Sequence, residues 1–287
     1  MSRSHVVDSL TATDFLHKHL EPGLPVVVRG TLNGWRVPPP WGLTWLKERF
    51  GDCEVPLFDT LFAMEELVTF GDYVDTHTGM DTGLDENTSI PPYLRWFTQQ
   101  SKDQMITADE AFEELADYWA VPSWLPQGDY VFPPASGQLD ATRDSFPARG
   151  MFVCGTGGRT RLHVDPWASD ACLCQVTGDK RFIMFPPEAG EFLTDGNGGT
   201  VDLDEPDGTR FPEWRRAVPA LDEVLSPGDA IFIPQGWYHT AIALTDSVSL
   251  TWNFTHRVHE ERFGAYLSSG GEADPVVAYF MSNDERP

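Results

Sequence analysis

The chain has 287 residues and a formal net charge of −24, from 44 acidic against 20 basic side chains. A body this acidic repels phosphate backbones and anionic lipid, so nucleic-acid and membrane-surface binding are disfavoured. Hydrophobic residues at 41% and aromatics at 12%, with ten Trp, exclude a disordered chain and predict a substantial core.

No run approaches the ~18 apolar residues of a membrane span. Residues 1–10 lack the apolar centre of a secretory signal. Cys53, Cys154, Cys172 and Cys174 form no disulfide framework, and a reducing, cytoplasmic setting is expected. Cys172 and Cys174 share one face of a strand and read as core packing; a zinc half-site would need a second cluster.

In chain order, 24–29 is a short apolar run closed by Gly30, a buried-strand signal. Residues 41–50 carry Trp41, Trp45, Leu46 and Arg49 at helical spacing, with Gly51 as a C-cap. Residues 64–74 and 107–120 also read as helices, the second capped by Thr107 or Asp109 and striped by Phe112, Leu115 and Trp119. After about residue 125, Gly and Pro punctuate short β-type runs at 151–154, 161–165, 171–176, 181–185, 230–233 and 247–254. Many short strands between turn signals predict a β-sandwich or barrel. Residues 258–267 read as a helix. Together with 276–281 they offer an apolar face for a homodimer or for the chain's own core. The expected organisation is a helical and mixed N-terminal region (1–125), a β-barrel core (126–256) and a helical tail (257–287), joined as one unit.

His163-Val-Asp165 places an imidazole and a carboxylate on one face of a strand, where both can hold one metal. Eight histidines in a chain with 44 acidic residues produce about one His-x-Asp/Glu match by chance. Two more occur, His19-Leu-Glu21 and His259-Glu-Glu261. Both fall in helical stretches and read as solvated faces. His239 closes a run from Pro227 that reads turn, buried strand, turn. Two histidines and one carboxylate form the facial triad of non-haem Fe(II) oxygenases, which leaves three coordination positions open.

Here the chain resembles the JmjC-domain (cupin-like) Fe(II)/2-oxoglutarate-dependent dioxygenases of the small hydroxylase type. The motifs that carry the resemblance are His163-x-Asp165-Pro166; Gly178-Asp-Lys180-Arg-Phe-Ile-Met-Phe-Pro186-Pro187; Pro227-Gly-Asp…Ile233-Pro-Gln-Gly-Trp-Tyr-His239; and Ser249-Leu-Thr-Trp-Asn253-Phe254. Segments 25–30, with Trp35, and 45–51 are similar to the usual N-terminal region. The resemblance implies a mainly β fold with a double-stranded β-helix (jelly-roll) core. It implies that His163, Asp165 and His239 bind Fe(II), and that O2 and 2-oxoglutarate are co-substrates. It also implies that Lys180 pairs with the distal carboxylate of 2-oxoglutarate, that Thr160 assists Lys180, and that Tyr93 and Asn253 line the same pocket. Where relatives carry an asparagine before the lysine, this chain has only Gln175. The cations Arg159, Arg161, Lys180 and Arg181 fall around the first metal motif and suggest a locally basic pocket in an acidic body.

The family's usual targets imply hydroxylation of an amino-acid side chain in a peptide or protein. Oxygenation of a free amino acid or small metabolite is the alternative. A non-catalytic cupin module or a zinc hydrolase comes third, because neither has a use for Lys180 as a 2-oxoglutarate anchor.

Overall fold

The computed structural model describes residues 5–32, 35, 41–79, 90–134 and 148–282, which include every candidate site residue. The N-terminal part builds β1 (Val6–Val7), α1 (Ala12–Phe15, continued by a π-turn over Leu16–Leu20), β2 (Val26–Val28), α2 (Leu43–Phe50), β3 (Glu54–Phe58), β4 (Met64–Thr69), α3 (Phe70–His77), β5 (Tyr93–Phe97), α4 (Asp109–Glu114) and β6 (Tyr130–Phe132). The barrel part follows with β7 (Arg149–Cys154), β8 (Arg159–His163), β9 (Asp170–Thr177), β10 (Lys180–Phe185), α5 (Gly190–Leu193), β11 (Leu221–Leu225), β12 (Ala230–Ile233), β13 (Tyr238–Ala243) and β14 (Ser247–His256). Helices α6 (Glu260–Ser268) and α7 (Pro275–Ser282) close the chain.

Strands β7 to β14 form two facing four-strand layers, in the orders β12-β9-β14-β7 and β11-β10-β13-β8. Apart from the β10–β11 pair, successive strands alternate between the layers. This is the expected double-stranded β-helix. The N-terminal strands widen one layer at both edges: β1 and β2 add beside β12, and β5, β3 and β4 add beside β7. That region is therefore more β than its sequence suggests.

Alternation sorts the side chains of the central strands. Val248, Leu250, Trp252 and Phe254 of β14, with Cys172 and Cys174 of β9, point outward into the main core beneath α1, α2 and α4. Burying an aliphatic side chain such as Leu250 contributes about 1.5–3 kcal/mol. Ala171 and Leu173 of β9, with Thr251 and Asn253 of β14, point inward and line a cavity. Both cysteines of the Cys-x-Cys pair are free and buried in that core, as expected from strand spacing.

The stretch 64–74 is not one helix. Thr69 is extended (φ −76, ψ 150), and its hydroxyl accepts from the Asp72 amide at 3.1 Å. This cap starts α3 at Phe70. Residues before it pair with β3, from Glu54↔Thr69 to Phe58↔Met64, so tertiary pairing overrides the local helical pattern. The helix expected over 107–120 shortens to α4; Asp109 lies within it, and its carboxylate accepts from the Gln99 amide. Phe112, Leu115 and Trp119 are buried as expected. In the tail, Phe263, Val277 and Phe280 pack with Phe132 and Ala148, so that apolar face is covered within the chain. No helix among the described residues is long and apolar enough to cross a membrane.

Candidate functional site

His163 ends β8 and His239 lies near the start of β13, directly opposite it in the ladder. Their rings are 4.2 Å apart between centroids. Asp165 lies beyond the strand rather than on it, which corrects the expectation of one regular face over 161–165. The backbone turns immediately afterwards, with Trp167 (φ 63) and Ala168 (φ 48) both left-handed. Such conformations are costly for non-glycine residues and concentrate at functional sites. The turn returns the carboxylate to the histidines: one Asp165 oxygen is 3.7 Å from both Nε2 atoms. These separations exceed a hydrogen bond, as for donors that converge on a common point. One ligand atom from each of the three residues lies within 4.8 Å of the others, and this is the only such cluster among the described residues.

Nδ1 of His163 lies 2.8 Å from the Arg161 carbonyl, and Nδ1 of His239 lies 3.1 Å from that of Trp237. A carbonyl only accepts, so each Nδ1 carries the proton and each Nε2 lone pair faces Asp165. Burial, reinforced by His163, depresses His239 to about 4, which keeps it neutral. The Asp165 carboxyl lies below its ordinary value: burial pushes it up, but the charge His239 carries when protonated and the contacts with His163 and Asn253 outweigh it. Two neutral imidazoles and one carboxylate are a donor set that fits a divalent metal with open positions.

The donors open onto a cavity of about 490 Å³ whose walls are mostly apolar, including Phe58, Phe62, Phe152, Trp167 and Phe182. Thr160, Tyr93 and Asn253 also line it. Thr160 and His163 are three residues apart, a spacing that a regular strand would split between two faces. A register shift brings both inward: His239 pairs with His163 while Ala241 pairs with Thr160. Asn253 donates to the Ser169 hydroxyl at 3.2 Å.

Lys180 starts β10, behind the Tyr93 wall. Gly178 makes this placement possible, because it is left-handed (φ +72) and an added Cβ would lie 2.0 Å from the Asp246 carbonyl. The Lys180 ammonium is fully buried and donates to the Tyr93 hydroxyl at 2.8 Å and to Ser249 Oγ at 2.6 Å. Ser249 donates onward to Gln175 Oε1 at 2.8 Å, and Gln175 is fixed by the carbonyls of Thr177 and Gly178. Gln175 thus acts through Ser249, a residue that sequence reasoning left without a role. Burial is the main cause that lowers Lys180 to about 8, with Arg95 adding repulsion. No carboxylate pairs with Lys180 among the described residues.

The structure redraws the basic cluster. Arg159 and Arg161 engage Asp202 and Asp204, and Arg181 engages Asp222 at 2.6 Å. These arginines are neutralised away from the cavity. The second cation beside Lys180 is Arg95, which the sequence reading passed over. It lies two residues after Tyr93 on β5, the same-face spacing that could have revealed it. The expectation that His19 and His259 are solvated also fails. Both are buried, and His259 Nδ1 lies 3.0 Å from the buried carboxylate of Asp170.

Residues 12–260 match the family described as Cupin-like domain. The chain belongs to the cupin-like domain family. This cupin-like chain is 22% identical over 262 residues to an arginine-specific demethylase, JMJ22, of Arabidopsis thaliana, covering 88% of itself and 46% of the relative. It is 23% identical to the 2-oxoglutarate and iron-dependent oxygenase JMJD4 of Gallus gallus, covering 87% and 59%. It is 27% identical to tRNA wybutosine-synthesizing protein 5 of Danio rerio, covering 83% and 70%. The cupin-like chain thus spans about half the length of the first two of these curated relatives.

Proposed function

We propose that this cupin-like chain is an Fe(II)- and 2-oxoglutarate-dependent oxygenase that hydroxylates an amino-acid side chain in a peptide or protein. One juxtaposition carries the proposal: the converging donors of His163, Asp165 and His239 share a cavity wall with Tyr93, behind which stands the ammonium of Lys180, paired with no carboxylate among the described residues. Bound Fe(II), with 2-oxoglutarate and O2, supplies the chemistry that places a hydroxyl on a C–H bond with release of succinate and CO2.

The chain's own residues provide donors, orientation and dryness. The Arg161 and Trp237 carbonyls fix the two imidazoles. Lys180, assisted by the hydroxyls of Tyr93 and Thr160, receives the distal carboxylate as a buried charge partner. Asn253 holds the far side near Asp165. Phe62 stands edge-on to His163 at 5.1 Å and, with Trp167, excludes water from the substrate side. A zinc hydrolase would have no use for the buried Lys180.

The relatives' names agree on no single substrate, and one of them names tRNA. The net charge of −24 favours a neutral or basic polypeptide over a polyanion. A reducing compartment such as the cytoplasm suits the four free thiols.

The test is aerobic incubation with Fe(II), 2-oxoglutarate and a peptide panel, read by succinate formation and by peptide mass. Succinate with a gain of one oxygen atom on a peptide supports the proposal. No succinate with any substrate, or succinate equally from His163→Ala, contradicts it.

A further inference from the structure

Arg95 is a buried cation that forms no ion pair among the described residues. Its guanidinium carbon lies 4.4 Å from the Tyr93 ring centroid and 4.0 Å from that of Phe62. One terminal nitrogen donates to the Asp59 carbonyl at 3.0 Å, and the other donates to Thr160 Oγ1 at 3.0 Å. Its Nε is buried without a partner. The Asp59 carboxylate makes no direct pair with it: Oδ1 accepts from the Leu61 and Ala63 amides, and its charge supports Arg95 only at longer range. Isolating a charge in this way is costly, and a fold keeps such a group where it serves a ligand.

Aromatic faces compensate part of the charge, but they are not an anion. Lys180 and Arg95 are thus two buried cations against Tyr93, behind the cavity wall that Tyr93 and Thr160 form. Arg95 also fixes the direction of Thr160. The guanidinium occupies an oxygen lone pair of Thr160, whose hydroxyl donates to no other described group. Thr160 lines the cavity, so its proton is left to face a ligand there.

We propose that Arg95 is a positioning residue of the keto-acid pocket: it aims the Thr160 hydroxyl at the distal carboxylate and, with Lys180, selects a dianionic keto acid over a monoanionic one. This rests on the oxygenase proposal above. A ligand carboxylate seated against Tyr93 and Thr160 is hydrogen-bonded by groups that the two cations hold in place, and its charge offsets both.

The test is anaerobic titration of the Fe(II)-loaded protein with 2-oxoglutarate and with 2-oxopentanoate, which lacks the distal carboxylate, read by the visible charge-transfer band. The decisive quantity is the ratio of the two dissociation constants. Arg95→Gln should lower the preference for 2-oxoglutarate by about 10- to 100-fold while leaving 2-oxopentanoate within about twofold. A purely structural role would weaken both ligands in parallel, and an unchanged ratio overturns the proposal. If Arg95→Gln does not fold, Arg95→Lys and Thr160→Val replace it. Each should lower the ratio, and the double variant should lose less than the product of the two; independent effects contradict the coupling. No band with either ligand in the wild type would instead refute the oxygenase proposal, so the two failures are distinguishable.

Discussion

His239 stands opposite His163 across the β8–β13 ladder, and Nε2 of each lies 3.7 Å from the same oxygen of Asp165. Strand pairing thus fixes two donors, and a left-handed turn after Asp165 delivers the third. Substitution of any one of them by Ala should reduce Fe(II) affinity by more than the roughly 10- to 100-fold typical of losing an outer-shell partner. Anaerobic equilibrium dialysis measures this, with circular dichroism to confirm the fold. Fe(II) affinity unchanged in His239→Ala would refute the assignment.

Lys180 gives the site a pH signature. Burial depresses its folded-state value to about 8, against 10.5 in an unfolded chain. Between those values the unfolded state binds more protons, so stability rises with pH across that window as the buried charge is lost. The difference corresponds to ~3 kcal/mol. Urea unfolding should show the stability of Lys180→Met, relative to wild type, falling by about that amount from pH ~7 to ~11. A pH-independent difference would contradict a buried cation.

The same charge is needed for binding. Affinity for 2-oxoglutarate should be level below pH ~8 and fall up to about tenfold per pH unit above it. Lys180→Met should raise the 2-oxoglutarate dissociation constant by about 10- to 100-fold. Isothermal titration across pH reads both effects.

The outward arginines should behave differently. Arg181 is half exposed and paired with Asp222. Arg181→Ala should leave 2-oxoglutarate affinity within about twofold and cost at most ~1 kcal/mol of stability. A large loss of affinity would show that the basic pocket extends beyond Lys180 and Arg95.

Asp170 ties the tail to the barrel next to the metal motif. It is fully buried, lies 3.0 Å from His259 Nδ1, and accepts from the Gln235 amide at 2.9 Å. Asp170→Ala leaves the buried His259 and the half-buried Gln235 amide without this partner and should destabilise by about 3 kcal/mol. Hydrogen exchange should show α6 opening first. Unchanged stability would mean that the clamp contributes nothing.

The ordered motifs made the barrel and its triad legible, because strand alternation and turn glycines are local signals. His163 and Lys180 fall on or beside strands those signals predict, whereas His239, expected on a turn, lies on β13, and Tyr93, expected only from the resemblance, lies on β5. What escaped was non-local. The strand at 64–69 exists because β3 is there to pair with it. His259 is buried because Asp170, 89 positions away in sequence, turns toward it. Arg95 has the alternation of an inward residue, but that it forms no ion pair among the described residues is visible only in three dimensions. The reverse holds for Arg159, Arg161 and Arg181, whose acidic partners lie 41 to 45 residues downstream.

On the proposed function, one cavity holds both Fe(II) and 2-oxoglutarate. Its most direct test is anaerobic titration of the Fe(II)-loaded protein with 2-oxoglutarate, followed in the visible region. A saturable charge-transfer band is expected, one that disappears in Asp165→Ala and needs far more ligand in Lys180→Met. No band in the wild type with both components bound, or an undiminished band in Asp165→Ala, would contradict it.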